Sequence, residues 1–170
     1  MTHIRRYFVH HAPIFITAVC HRRQPYLKCD EHKALLLLVM REVKGEWPFR
    51  MVGYVILDEH FHWLILSQAP ESFPLIMQSV KLRFARRFPR VEWHATGHVW
   101  QRRYWDHIIR NDNDLQRHLD YIHYNPVKHG LAKAVADYRW SSFGEYFQRG
   151  MYLAGWGETM PKGIEGLVPE

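Results

Sequence analysis

Residues Phe15 to Val19 are rich in β-forming side chains and predict a first strand. Asp30-Glu31-His32 then opens a stretch in which Leu35, Leu38, Val39 and Val43 recur at helical spacing. Gly45 and Pro48 close it, so the pattern predicts a helix with an acidic first turn. Arg50 to Leu57 alternates into a strand, Asp58-Glu59 makes a turn, and Phe61 to Ser67 alternates again; together they predict a hairpin. Pro74 suits the first turn of a second helix. Its apolar positions Leu75, Ile76, Val80 and Phe84 keep the helical period up to Phe88, before Pro89. Val99 to Ile109 reads mainly as extended chain. Asn111-Asp112-Asn113-Asp114 supplies a cap for a third helix that ends near Gly130. Strand, helix, hairpin, helix, strand, helix is an α+β order, suited to an antiparallel sheet with helices packed mainly on one face.

The last thirty residues hold six of the ten glycines, which predicts a short turn or helix and then a mostly irregular tail. Residues 1–150 are therefore read as one domain and 151–170 as a C-terminal tail. With 47% hydrophobic and 24% charged residues, the chain is not of the disordered or low-complexity class. Two cysteines, Cys20 and Cys29, make no disulfide framework and fit a reducing, cytoplasmic setting. No run approaches the roughly 20 apolar residues that span a bilayer, so no membrane partner is expected. Ala12 to Cys20, which follows Arg5 and Arg6, reads as a buried strand rather than a leader.

Charge narrows the function further. The chain carries a net +6. Between Lys81 and Arg110 eight basic residues face only Glu92 and Asp106, so this one stretch accounts for the whole excess. Phe84, Phe88, Trp93, Trp100, Tyr104 and Trp105 are interleaved with it. Cations neutralise phosphates and aromatic faces stack on unpaired bases, so the stretch predicts a nucleic-acid surface. Trp100 and Trp105 are candidates for stacking, although Trp in a domain of this size also serves as core.

The chemistry is concentrated in two places. In Asp58-Glu59-His60-Phe61-His62-Trp63, strand geometry turns His60 and His62 to one face and Phe61 to the other. Two imidazoles on one rigid face make half of a divalent-metal site. With thirteen histidines in the chain the spacing can also arise by chance. A third alternating His, as in histidine-triad nucleotide hydrolases, is absent because position 64 is Leu64. The second place is Leu115 to Gly130. On an ideal helix Leu115, Leu119 and Ile122 form the buried stripe, and Tyr121 and Asn125 neighbour each other on its flank, at the edge of the core. Tyr124 faces away. The Asn125 amide oxygen suits a hard divalent ion, while Pro126 disfavours helical geometry at Asn125 and predicts that the helix stops there.

Taken together, HFH at His60 to His62, WQRRYWDHIIRN from Trp100 to Asn111, YIHYNPVKHGL from Tyr121 to Leu131 and YRWSSF from Tyr138 to Phe143 resemble the REP-associated tyrosine transposases. These are a branch of the single-tyrosine HUH transposases. The resemblance runs from about Arg5 to Tyr152 and does not clearly cover Leu153 to Glu170. It implies a ferredoxin-like sheet carrying the two histidines on its central strands. It also implies a helix-borne tyrosine nucleophile, which maps onto Tyr121, and a third metal ligand four residues later, which maps onto Asn125. The implied metal is Mg²⁺ or Mn²⁺, and the implied partner is single-stranded or hairpin DNA, bound by a monomer or homodimer.

The reaction implied is metal-dependent cleavage and strand transfer of single-stranded DNA through a 5′-phosphotyrosine, on hairpin-forming repetitive extragenic palindromic sequences. A tyrosine with an ordinary pKa near 10 needs help to lose its proton; His118, on the same helix, is the candidate general base. Arg5, Arg6 and Tyr7 are candidates for reading a guide sequence. Lys81, Arg83, Arg86, Arg87, Arg102 and Arg103 are candidates for DNA contacts. Two rival classes remain at this point: a binding module on the same fold without chemistry, and a metal-dependent phosphodiesterase that uses activated water.

Overall fold

A computed structural model describes residues 9, 11–69, 72–89 and 98–168. Strand β1 (Ile14–Val19), helix α1 (Asp30–Glu46), strands β2 (Phe49–Ile56) and β3 (His60–Ser67), helix α2 (Phe73–Arg87), strand β4 (Trp105–Ile108) and helix α3 (Asp112–Lys128) follow in order. A short helix α4 (Phe143–Gln148) comes last. The strands form one sheet in the order β2-β3-β1-β4, and every adjacent pair is antiparallel. This is the ferredoxin-like α+β arrangement that the sequence predicts.

Alternation sorts the side chains between two layers. Ile14, Ile16 and Ala18 of β1 and Phe61, Trp63 and Ile65 of β3 pack under α1 and α2, with Leu36, Met40, Ile76, Val80 and Phe84. Phe15, Val55 and Leu64 point to the other face, where Leu119, Tyr121 and Ile122 of α3 cover them. Two of the three long helices thus share one face, and α3 alone covers the opposite one. Its close approach requires Gly53, which follows an irregularity in the β2–β3 register. A Cβ there would lie 2.8 Å from Leu119 Cδ2.

Helix α3 begins as its sequence predicts: Asn111 Oδ1 accepts from the Asp114 backbone N–H at 2.9 Å, and Asp112 and Asp114 occupy the positive end. Its end differs. The helix does not stop before Pro126 but continues to Lys128. Tyr121, Ile122, His123, Asn125 and Pro126 are all buried, and this packing against the sheet overrides the local preference of Pro126. Gly130, at φ 68°, then lets the chain reverse.

The chain after α4 has no helix or strand among its described residues, yet it is packed. Ile164 and Val168 join the α3 layer, and Gly163 O accepts from Arg117 Nε at 2.6 Å. Tyr121, expected at the edge of the core, lies within the same layer and is only 1% exposed. Tyr124, expected to face away, is half-buried against the same layer.

Candidate active site

Strand β3 delivers His60 and His62 to the α3 face, with ring centroids 4.9 Å apart, while Phe61 lies in the other layer. The β1–β3 register sets Thr17 opposite His62, and Thr17 Oγ1 lies 2.8 Å from His62 Nδ1. With Nδ1–H donating to the hydroxyl, Nε2 keeps its lone pair; that nitrogen is buried and has no hydrogen-bond partner among the described residues. Burial, helped by the positive charge of His60, His129 and Lys128, pushes the His62 pKa well below its ordinary value. His62 is therefore held neutral, the form that ligates a metal.

Helix α3 lies along this pair. The Tyr121 ring meets His62 edge-on at 5.1 Å, and two turns later the His129 ring meets His60 at 5.2 Å. Asn125 is one helical turn from each, on the same side of the helix. It is fully buried, and neither its amide nitrogen nor its amide oxygen has a hydrogen-bond partner among the described residues. A buried carboxamide left unsatisfied costs about 1–3 kcal/mol, so its retention beside two imidazoles is a mark of a ligand. The donor set, two imidazole nitrogens and an amide oxygen, fits a divalent cation.

The neighbourhood holds groups that local sequence reasoning missed. Lys128 Nζ lies over the Tyr121 ring, 5.1 Å from its centroid. Phe15 stacks on His62 at 5.4 Å and touches Tyr121 edge-on at 6.1 Å. His129 was within reach of helix periodicity, being two turns from Tyr121. Thr17 and Phe15 required the strand register.

His118, one turn before Tyr121, is buried between Phe15 and His107, with centroids at 4.8 and 4.7 Å. Its Nδ1–H donates to Asp114 O at 2.7 Å, which leaves a basic Nε2, and burial pushes its pKa down. Asp114 also accepts from His107 Nε2 at 2.9 Å and from Arg110 N and Nε, each at 3.0 Å. Burial raises the Asp114 carboxyl, but the Arg110 and His107 donors outweigh it and hold the group far below the carboxylate range. His107, Asp114 and His118 offer ligand atoms within 4.8 Å of one another, a second grouping able to hold a cation.

The expected DNA residues do not gather at this centre. Arg5, Arg6 and Tyr7 lie outside the described residues. Lys81, Arg83, Arg86 and Arg87 sit on α2, across the sheet from His60 and His62. Arg83 binds Glu46 at 2.6 Å and Arg87 binds Glu42 at 3.0 Å. Lys81 Nζ donates to the carbonyls of Gln101 and Arg102 at 2.7 and 3.1 Å. Arg86, Arg102 and Arg103 are exposed. Of the tryptophans, Trp100 is buried in the α1–α2 layer. Trp105 is half-buried and parallel to His107. No helix of the described residues is long and apolar enough to cross a membrane.

Known proteins resemble the chain over most of its length. The family model described as "Transposase IS200 like" matches residues 8–125. A REP-associated tyrosine transposase of Escherichia coli (strain K12) is 33% identical over 159 residues, covering 92% of this chain and 91% of that protein. A Haemophilus influenzae relative is also 33% identical, over 181 residues, covering 99% of this chain and all of its own. A solved REP-associated tyrosine transposase bound to a REP hairpin superposes with a TM-score of 0.79 at 31% identity, covering 95% of this chain and 94% of that one.

Proposed function

Since the chain belongs to the IS200-like transposase family and is an enzyme of the tyrosine transposase kind, we propose that it cleaves and rejoins single-stranded DNA through Tyr121. Its substrate is hairpin-forming repetitive extragenic palindromic DNA, the class named for its solved relative. The observation that carries this reading is the pair of unsatisfied ligand atoms, His62 Nε2 and Asn125 Oδ1, beside the buried Tyr121 ring.

The Tyr121 phenol is the nucleophile. Its oxygen forms a bond to the scissile phosphorus, the bond from phosphorus to the 3′-oxygen breaks, and the product is a 5′-phosphotyrosine and a free 3′-hydroxyl. The covalent link conserves the phosphodiester for strand transfer. His118, held neutral by burial, takes the phenol proton through Nε2, and the departing 3′-oxygen takes up a proton. Lys128 adds positive charge beside the ring where the phosphate arrives. With Tyr121 only 1% exposed, the groups above it shift as DNA enters. His60, His62 and Asn125 would hold Mg²⁺ or Mn²⁺, which when bound supplies charge neutralisation and orientation at the phosphate. Thr17 fixes the ring of His62 for that role. Exposed Arg86, Arg102 and Arg103, with Lys81, Arg83 and Arg87, follow the DNA backbone, and Arg5, Arg6 and Tyr7 read the guide sequence.

The test is a denaturing gel of labelled hairpin-flanked single-stranded DNA incubated with protein and Mg²⁺ or Mn²⁺. A shifted protein–DNA band is expected with the wild type and is absent with Tyr121→Phe or EDTA. Cleaved DNA without a band would point to activated water, and binding without cleavage to a non-catalytic module.

A further inference from the structure

Among the described residues five arginines pair with carboxylates: Arg23 with Glu59, Arg83 with Glu46, Arg87 with Glu42, Arg110 with Asp114 and Arg139 with Asp30. The side chains of Arg41, Arg50 and Arg149 have no ion pair or hydrogen bond among the described residues. Yet these three come from three different elements, α1, β2 and the end of α4, and line one cavity of about 270 Å³ at the β2 edge of the sheet. Tyr54 and Tyr146 form part of its wall, and Glu145 is the only acid lining it.

The charges act on the same groups. Burial raises the Tyr146 phenol, Arg149 and Arg50 pull it down, and Glu145 pushes it up. Tyr54 is likewise raised by burial and by Glu145 and lowered by Arg41. Three like charges that share one carboxylate, Glu145, leave a net positive cavity, and guanidinium forks match phosphate oxygens better than any other side chain. Arg50 stands opposite Leu66 of β3, six residues from His60. That is about 20 Å along the strand, or about six base pairs of duplex.

We propose that this cavity is a phosphate-backbone contact for the stem of the hairpin DNA, remote from the cleavage chemistry. The inference rests on the DNA reading given above. It assigns to Arg41, Arg50 and Arg149 a role in affinity that Arg83 and Arg87 of α2 do not share in full, since those two must first release a carboxylate.

The test is fluorescence anisotropy of a labelled hairpin oligonucleotide over a salt series. All proteins carry Tyr121→Phe, so that binding is read without reaction. The triple variant Arg41→Gln, Arg50→Gln, Arg149→Gln removes three exposed charges, and circular dichroism checks that it is folded. Each phosphate contact contributes about 0.9 to the slope of log affinity against log salt. The slope is therefore expected to fall in magnitude by about 2 to 3, with affinity at low salt lowered at least about tenfold. Glu145→Gln, which removes the opposing charge, is expected to tighten binding, a gain that damage to the fold would not give. Equal affinity and slope in the triple variant would overturn the proposal while leaving the DNA reading intact. Failure of the parent protein to bind the hairpin would overturn both. Pyrophosphate binding that the triple variant loses, with an unchanged DNA slope, would make the cavity a site for free anions and overturn the DNA assignment.

Discussion

His123 gives the account its sharpest thermodynamic test. It lies on α3, fully buried, with Nδ1 2.8 Å from Tyr152 Oη and Nε2 2.9 Å from Ser142 Oγ. Tyr152 in turn donates to Asp120 at 3.0 Å. A neutral imidazole completes this chain, with Nδ1–H donating to Tyr152 and Nε2 accepting from Ser142. Burial pushes its pKa down to about 3. Unfolded, the same ring titrates near the ordinary value of about 6.5. Above that pH neither state binds the proton. Below it the unfolded chain takes a proton that the folded chain refuses, so stability present at neutral pH is lost as the pH falls towards 3. Between pH 7.5 and pH 5 the loss from this one group is about 2 kcal/mol. Urea denaturation followed by tryptophan fluorescence at the two pH values measures it. The His123→Gln variant is expected to be less stable at pH 7.5 by about 1–3 kcal/mol, through its lost hydrogen bonds. Its further loss on going to pH 5 should be about 2 kcal/mol smaller than that of the wild type. His62 and His118 are also depressed, but they are present in both proteins and cancel in the difference. An identical pH dependence in the two proteins would refute the reasoning.

Other outcomes follow from the same geometry. Asn125→Leu removes two unsatisfied buried polar atoms, so its stability in a thermal melt should equal or exceed that of the wild type by about 1–2 kcal/mol. Its protein–DNA adduct on a denaturing gel should fall to background. Thr17→Val frees the His62 ring and should raise the metal concentration needed for half-maximal adduct about 10–100-fold, with the yield restored by excess metal. Gly53→Ala drives a Cβ against Leu119 and should destabilise the fold in urea by about 1–3 kcal/mol.

Much of this was legible before any coordinates. Period-two alternation in β1 and β3 fixed which residues share a face, and that alone paired His60 with His62. Helix periodicity paired Tyr121 with Asn125. What stayed hidden depends on contacts distant in sequence. Thr17 becomes a partner of His62 only through the β1–β3 register, 45 residues away. The basic stretch looked like one free surface because Glu42 and Glu46, which bind Arg87 and Arg83, lie on a helix 45 and 37 residues earlier. The tail carries no periodicity, so the packing of Ile164 and Val168 against the α3 layer could not be foreseen. Pro126 misled for a related reason: its local preference is weaker than the packing of the turn that holds Asn125.

The central claim is that Tyr121 becomes covalently joined to DNA. The most direct measurement is mass spectrometry of the adduct after protease and nuclease digestion. The account predicts a nucleotide 5′-phosphate attached to the peptide that contains Tyr121. A nucleotide found on another residue, such as Tyr124, or cleaved DNA with no modified peptide, would contradict it.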